Sequence, residues 1–226
     1  MTALPGSVRQ SLRGKANLDI NISGSGKEWT DTQKTLSGDG LAEVFEGELV
    51  NINIANSILD EISAYTGTSN LIPNSLKTKY PKVFNEQNTV IENLKSDFVV
   101  ENGRLLARNL VLKHEDYRIR GKGSIGFDKS VDMTATFTVS KRLTDDLVRN
   151  YKAISYLKND RGEVEVPVLL GGSVSGISVK PDSDYIKDLV GKALLGDGLD
   201  NLKNKYLKDL FPSNKKSAKP DTTRLR

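Results

Sequence analysis

The chain has 226 residues, 37% of them hydrophobic and 27% charged, enough for one large domain with a real core and ordinary for a globular protein. It has no Cys and a single His, His114, so disulfides, thiol chemistry, thiolate zinc sites and multi-histidine metal sites are excluded. The net charge of +4 belongs to the C-terminus, where Lys215, Lys216, Lys219, Arg224 and Arg226 face only Asp221; setting these six aside reduces 33 basic and 29 acidic residues to 28 of each.

The basic character is therefore expected in a disordered tail, residues 212–226, rather than on a binding face of the body. Attraction to anionic headgroups or nucleic acid is the tail's alternative use. No apolar run reaches the roughly 18 residues of a membrane-spanning helix. MTALPGSVRQ also lacks the apolar centre of a signal peptide. The expectation is a cytosolic protein, or a segment of a longer exported or membrane-anchored chain that opens with a flexible stretch over residues 1–13.

Alternation of apolar and polar residues then dominates. In GKANLDINISG, Ala16, Leu18, Ile20 and Ile22 share one face, opposite Lys15, Asn17, Asp19 and Asn21. Residues 38–54 alternate more loosely. Next, Ile54, Ile58, Ile62 and Tyr65 recur at helical spacing, and residues 75–79 suggest a short helix before Pro81. LKSDFVV runs into Asn102-Gly103, a dipeptide that accepts positive φ at both positions and so predicts a hairpin; RLLARNLVLK returns from it. Residues 117–127 form another strand, Asp128-Lys129 turns the chain, and SVDMTATFTVS runs back with Val131, Met133, Ala135, Phe137 and Val139 on one face. Leu147, Val148, Tyr151 and Ile154 predict a helix with Thr144 as its N-cap, and EVEVPVLLGGSVSGISVK supplies one or two more strands. Two further stripes, Ile186, Leu189, Val190, Ala193 and Leu194, then Leu199, Leu202, Tyr206 and Leu210, predict amphipathic helices. The fold class expected is α+β: a mostly antiparallel, twisted, groove-like sheet with about four amphipathic helices.

Motifs for chemistry are scarce. Gly121, Gly123 and Gly126 spell G-x-G-x-x-G, yet a phosphate loop needs a helix after the glycines, and here a turn and another strand follow. Gly121 and Gly123 instead strip side chains from one face of a strand, for closely packed backbone, a bulge or room for a bulky neighbour. Asp145 and Asp146 diverge by about 100° on a helix and are explained by its first turn. Glu163 and Glu165 alternate with valines, as on the wet face of a strand, and His114 sits at a turn as a surface histidine. The Asn21-Ile22-Ser23 glycosylation sequon lies inside a strand, not on a loop. Aromatics make up 6% of the chain and do not interleave with clustered Lys and Arg, so nucleic-acid binding by the body is not expected. No catalytic residue, metal site or cofactor is assigned.

The order of these pieces carries a resemblance. GDGLAEVFEGELVNINIANSILDEI gives a strand and then a helix; SDFVVENGRLLARNLVLKHEDYRIRGKGSIGFDKSVDMTATFTV gives a hairpin at Asn-Gly, a Gly-x-Gly strand and a long alternating strand. VPVLLGGSVSGISVKPDSDYIKDLVGKALL closes with a hydrophobic-Pro-hydrophobic step, Gly-Ser, Pro-Asp and a helix. Over residues 14–195 the series resembles the C-terminal region of the AsmA family of bacterial envelope proteins. It departs from that pattern where Gly176 and Ile177 stand between Val174 and Pro181.

The resemblance implies an AsmA-like C-terminal domain, residues 14–211, of a periplasmic protein anchored to the inner membrane through an N-terminal segment missing here. It also implies relatives among carriers whose curved sheet conducts phospholipid along an apolar inner face. Eight strands at about 4.8 Å make a sheet roughly 38 Å wide, and four helices of about 10 Å could cover most of one face. The lipid-groove candidates are Ala16, Leu18, Ile20, Ile22, Ile119, Ile125, Val131, Met133, Ala135, Phe137 and Val139. Phospholipid is the expected partner, and membrane association would run through the missing anchor or the basic tail. The competing expectations are a sheet face simply buried by its own helices, and an interaction module whose sheet edge docks an envelope protein by strand addition.

Overall fold

Each alternating run becomes a strand because only extended backbone turns every second side chain to one side. The computed structural model describes residues 12–66 and 72–185. Eight strands follow in chain order: β1 (Leu12–Ser23), β2 (Ser37–Leu49), β3 (Thr89–Glu101), β4 (Arg104–His114), β5 (Tyr117–Gly126), β6 (Val131–Val139), β7 (Glu165–Ser173) and β8 (Gly176–Pro181). They form a single open sheet in the order β1 to β8, and every pair is antiparallel. The class is α+β with a curved antiparallel sheet, as the sequence predicts.

The helices are α1 (Trp29–Thr35), α2 (Ile54–Thr66), α3 (Asn74–Lys79), α4 (Pro81–Phe84) and α5 (Lys141–Asn150), with a 3-10 turn over Lys152–Leu157. All but α1 lie in the β2–β3 and β6–β7 connections, so they gather at one end of the strands and fold back over one face. At the opposite end are the β1–β2, β3–β4, β5–β6 and β7–β8 connections, mostly tight turns. Asn102 and Gly103 take φ of 51° and 71° in the β3–β4 hairpin, as the dipeptide predicts. The stripes at 186–194 and 199–210, the tail, and residues 1–11 lie outside the described residues.

Two helical expectations need correction. The N-cap of α5 is Ser140, whose Oγ accepts from the Leu143 N–H at 3.3 Å, and not Thr144. Thr144 is buried one turn on, where its hydroxyl accepts from the Val164 N–H at 2.9 Å and so ties α5 to the approach to β7. The stripe through Tyr151 and Ile154 does not continue α5 either, since the helix stops at Asn150 and Ile154 belongs to the 3-10 turn. Helix α1 had no counterpart in the apolar periodicity: none of its residues is buried.

The register places rows of residues across the sheet. One runs Ala16, Val44, Leu94, Leu112, Ile119, Phe137, Val166; another runs Ile20, Gly40, Phe98, Ala107, Gly123, Met133, Leu170; a third runs Ile22, Gly38, Val100, Leu105, Ile125, Val131. All belong to the same, inner face. The strand β4 carries one extra residue at Arg108–Asn109, which accounts for the register shifts against both β3 and β5. Such a bulge twists the strand and re-aims its side chains.

The main core lies between the inner face and the helices. Ile54, Ile58 and Ile62 of α2, Leu76, Val83 and Phe84 of α3–α4, and Leu143 and Leu147 of α5 close on Leu112, Ile119, Phe137 and Val166. Helix α2 reaches across to β8. A smaller cluster toward the hairpin end consists of Ala107, Val131 and Met133 with Leu110, Leu170, Val174 and Ile177 packed around it. The sheet is close-packed where the glycines predict it. A Cβ on Gly121 would stand 2.9 Å from the Ala135 Cβ, and one on Gly123 would stand 2.4 Å from the Met133 Cα.

Candidate functional site on the apolar sheet face

The register brings all eleven groove candidates onto the inner face, then divides them by cover. Ile119, Ala135, Phe137 and Val139 lie in the helix-capped core at 8% exposure or less. Val131 and Met133 belong to the small cluster at the hairpin end and are also buried. Ile125 is half-buried beside them. Ala16, Leu18, Ile20 and Ile22 stand on β1, where no residue is buried; Leu18, Ile20 and Ile22 are 48%, 46% and 36% exposed.

The open strip has a local cause. Opposite Ile20 and Ile22 the second strand carries Gly40 and Gly38, so these isoleucines lack a flanking side chain on β2. A Cβ on Gly38 would lie 2.0 Å from the Asn21 carbonyl oxygen, so glycine is what lets β1 approach there. Among the described residues, Leu12 is the one residue of β1 that packs against the helix-capped core, at the end of the strand away from Leu18, Ile20 and Ile22. An apolar strip therefore leads from solvent at β1, over Val44, Phe98 and Val100, into the sealed interior. Near the hairpin end Trp29 of α1 stacks on Phe127 at 6.4 Å between ring centres. This contact links the β1–β2 connection to the β5–β6 turn, and Trp29 is itself 63% exposed.

The titratable residues singled out from the sequence serve structure. His114 is buried, a correction to its expected surface position, because β4 continues through it and turns its ring onto Tyr117 at 4.5 Å. Its Nδ1 accepts from the Asp116 N–H at 3.0 Å, and Nε2 is buried with no hydrogen-bond partner. Burial pushes the imidazole below its ordinary pKa, against the pull of the Glu92, Asp116 and Glu115 carboxylates.

Asp146 is likewise more than a first-turn acid. With Ser140 as the cap it sits in the body of α5, 5% exposed, bonded to Lys79, to the Tyr80 hydroxyl at 2.6 Å and to Arg149 at 2.8 Å. The Lys79 and Tyr80 hydrogen bonds hold its carboxyl below the usual carboxylate range. Asp145 faces Lys141 at 3.6 Å on the helix surface, so the two acids do share no site.

Glu163 is not on a freely solvated face, because Arg118 grips it with two hydrogen bonds of 3.0 and 2.7 Å, and these lower its pKa. Glu165 accepts from Asn159 at 3.0 Å. Gly121 and Gly123 lie within β5, followed by a turn and β6, and meet no helix N-terminus. Among the described residues no group of three His, Asp or Glu could hold a metal ion, and no helix is long and apolar enough to cross a membrane.

The arrangement offers an apolar surface that begins open and ends covered. No protein-family model, curated protein or solved structure matches the chain.

Proposed function

We propose that the chain is a non-enzymatic lipid-handling module of the bacterial envelope, part of a periplasmic protein anchored in the inner membrane, which shelters phospholipid acyl chains in transfer between the membranes or in outer-membrane assembly. The observation that carries this is the row of Leu18, Ile20 and Ile22, 36–48% exposed on the inner face and continuous with its buried rows. Aqueous exposure of such a strip is costly; each methylene moved from water to an apolar surface gains about 0.8 kcal/mol, so ten of them gain roughly 8 kcal/mol before ordering costs. Buried positions such as Ala135 and Phe137 act in this scheme as the rigid floor, and the acyl chains lie against β1 and the half-buried residues beside it. The motif order, which resembles that of the AsmA family, supports the same reading.

Solvent extraction of the purified protein followed by mass spectrometry tests it. Phospholipid near one molecule per chain is expected, and Leu18→Glu with Ile20→Glu should abolish it without changing the melting temperature. Absence of lipid, together with no thermal shift on adding it, would overturn the proposal. Ala135→Glu is the wrong probe, because a charge at a position 8% exposed and opposite Gly121 unfolds the sheet whatever its cargo.

A second reading rests on the same strand. No described strand pairs with the outer edge of β1, and all twelve of its residues are exposed or half-exposed, so an extended segment of an envelope protein could add as a ninth strand. Its mark would be capture of a protein partner, lost with β1 substitutions, by a chain that carries no lipid.

A further inference from the structure

The neutrality of the body conceals a sorting of charge on the outer face, which no helix of the core covers. Over β1–β3 that face carries Asp19, Asp39, Glu43, Asp97 and Glu101 with Lys15 and Lys95, Lys15 being paired with Glu46, and beside Leu12 and Leu49 it carries Arg13 and Glu48, which pair with each other. Over β4–β8 the order reverses: Arg108, Lys113, Arg120, Lys122 and Lys180 stand with Asp132 and Glu165, while Arg118 is committed to Glu163 and Arg104 to Ser124 and Ser130. All five are exposed, and none makes an ion pair with another described residue.

The β4 bulge sets the local shape. It turns two successive side chains outward, Arg108 and Asn109, and Asn109 donates to Asp97 at 3.0 Å, leaving Arg108 free. Arg108, Arg120 and Lys122 line a shallow depression of about 620 Å³ whose floor includes Thr134, Thr136 and Leu169. Asp182 is its acidic lining residue, and that carboxylate is occupied in accepting from the Asp184 and Tyr185 N–H groups. A second depression of about 470 Å³ shares Arg108, Lys122 and Thr134. Leu169, 48% exposed, places an apolar side chain among these cations.

We propose that the β4–β8 half of the outer face docks on an anionic lipid bilayer, with β1–β3 turned away from it. Charge complementarity selects this occupant. The cations are spread over strands β4, β5 and β8 as a two-dimensional array, which a sheet of anionic headgroups meets at many points and a small anion meets at one. Among the described residues no aromatic ring lines either depression, so stacking of nucleic-acid bases has no platform there. The acidic half is repelled by the same surface, which fixes the orientation. This docking is separate from the apolar face and stands or falls without it.

The test is co-sedimentation of the full chain with vesicles of phosphatidylcholine alone or of phosphatidylcholine with one quarter phosphatidylglycerol. Binding is expected only to the anionic vesicles and should weaken with salt. Each cation at such a surface is worth about fivefold, so R120Q/K122Q should weaken binding roughly 25-fold at an unchanged melting temperature, and R108Q/K113Q should do the same if the first pair misfolds. The loss should persist in a chain whose tail is neutralised by K215Q, K216Q, K219Q and R224Q, while D19N/D39N should not weaken binding. Anionic binding that is untouched by both outer-face pairs and lost with the tail changes would overturn the proposal. So would failure to bind either vesicle by a chain that an acidic protein captures through Arg120 and Lys122. Extracted lipid reads the inner face and is indifferent to all of these outcomes.

Discussion

Ile20 and Met133 stand in one row of one sheet face, joined by pairing through Gly40, Phe98, Ala107 and Gly123, yet Ile20 is 46% exposed and Met133 6%. Both are alternating apolar residues on strands of similar length. What differs is the company each strand keeps. The middle and far strands lie under the helices of the β2–β3 and β6–β7 connections or are hemmed by neighbours on both sides, whereas β1 is an edge with glycines opposite Ile20 and Ile22 and, among the described residues, no helix buries that stretch. Alternation thus fixes which way a side chain faces; connections fix whether anything meets it there.

The sharpest contrast should appear on truncating one residue from each region. Phe137→Ala removes a ring that touches Tyr117 at 5.3 Å in the sealed core and should cost about 4 kcal/mol in chemical denaturation. Next in size is Asp146→Ala, which strips the buried Tyr80 hydroxyl of its acceptor. A loss of about 2 kcal/mol is expected, kept modest because Lys79 and Arg149 are largely exposed and regain water.

A smaller effect follows from acid. His114 has a folded pKa below its ordinary 6.5, so the unfolded chain binds the proton first. The stability it contributes is complete above about pH 6.5 and drains away as pH falls through the lower folded value. His114→Gln should therefore flatten the melting temperature between neutral pH and the onset of carboxylate protonation. If the slope persists unchanged in that variant, the burial argument for His114 fails. The smallest effect belongs to the open strip: Ile20→Ser should shift stability by less than about 0.5 kcal/mol, and a larger loss would show that β1 is ordinary core after all.

Much of this fold was legible. The strands, the Asn102-Gly103 hairpin, the Ile54–Ile62 helix face and the close packing at Gly121 and Gly123 all follow from period and backbone chemistry over short distances. The site was legible only as a face. Eleven residues shared it, but cover depends on where helices dock, and that is set by contacts between segments far apart in sequence.

The same distance explains the other misses. Ser140 caps α5 in place of Thr144 because Thr144 is drawn into the core by Val164, twenty residues away. His114 is buried by Tyr117 and the continuing strand, although its KHEDY neighbourhood is polar. Charge was misjudged for a related reason: counting established that the body is neutral but could not show that the two signs lie on different strands.

The extra residue at Arg108–Asn109 has a consequence for what the gene can tolerate. Upstream of it Leu105 and Ala107 point inward; downstream Leu110 and Leu112 do, one residue out of step with a plain alternation. The pair works as punctuation between two half-strands of opposite phase. Removing one of the two would erase the bulge and leave Leu105, Ala107, Leu110 and Leu112 in plain alternation, whereas a codon lost elsewhere in β4 would turn part of the strand inside out, so a deletion should be tolerated better at this pair than anywhere else on the strand.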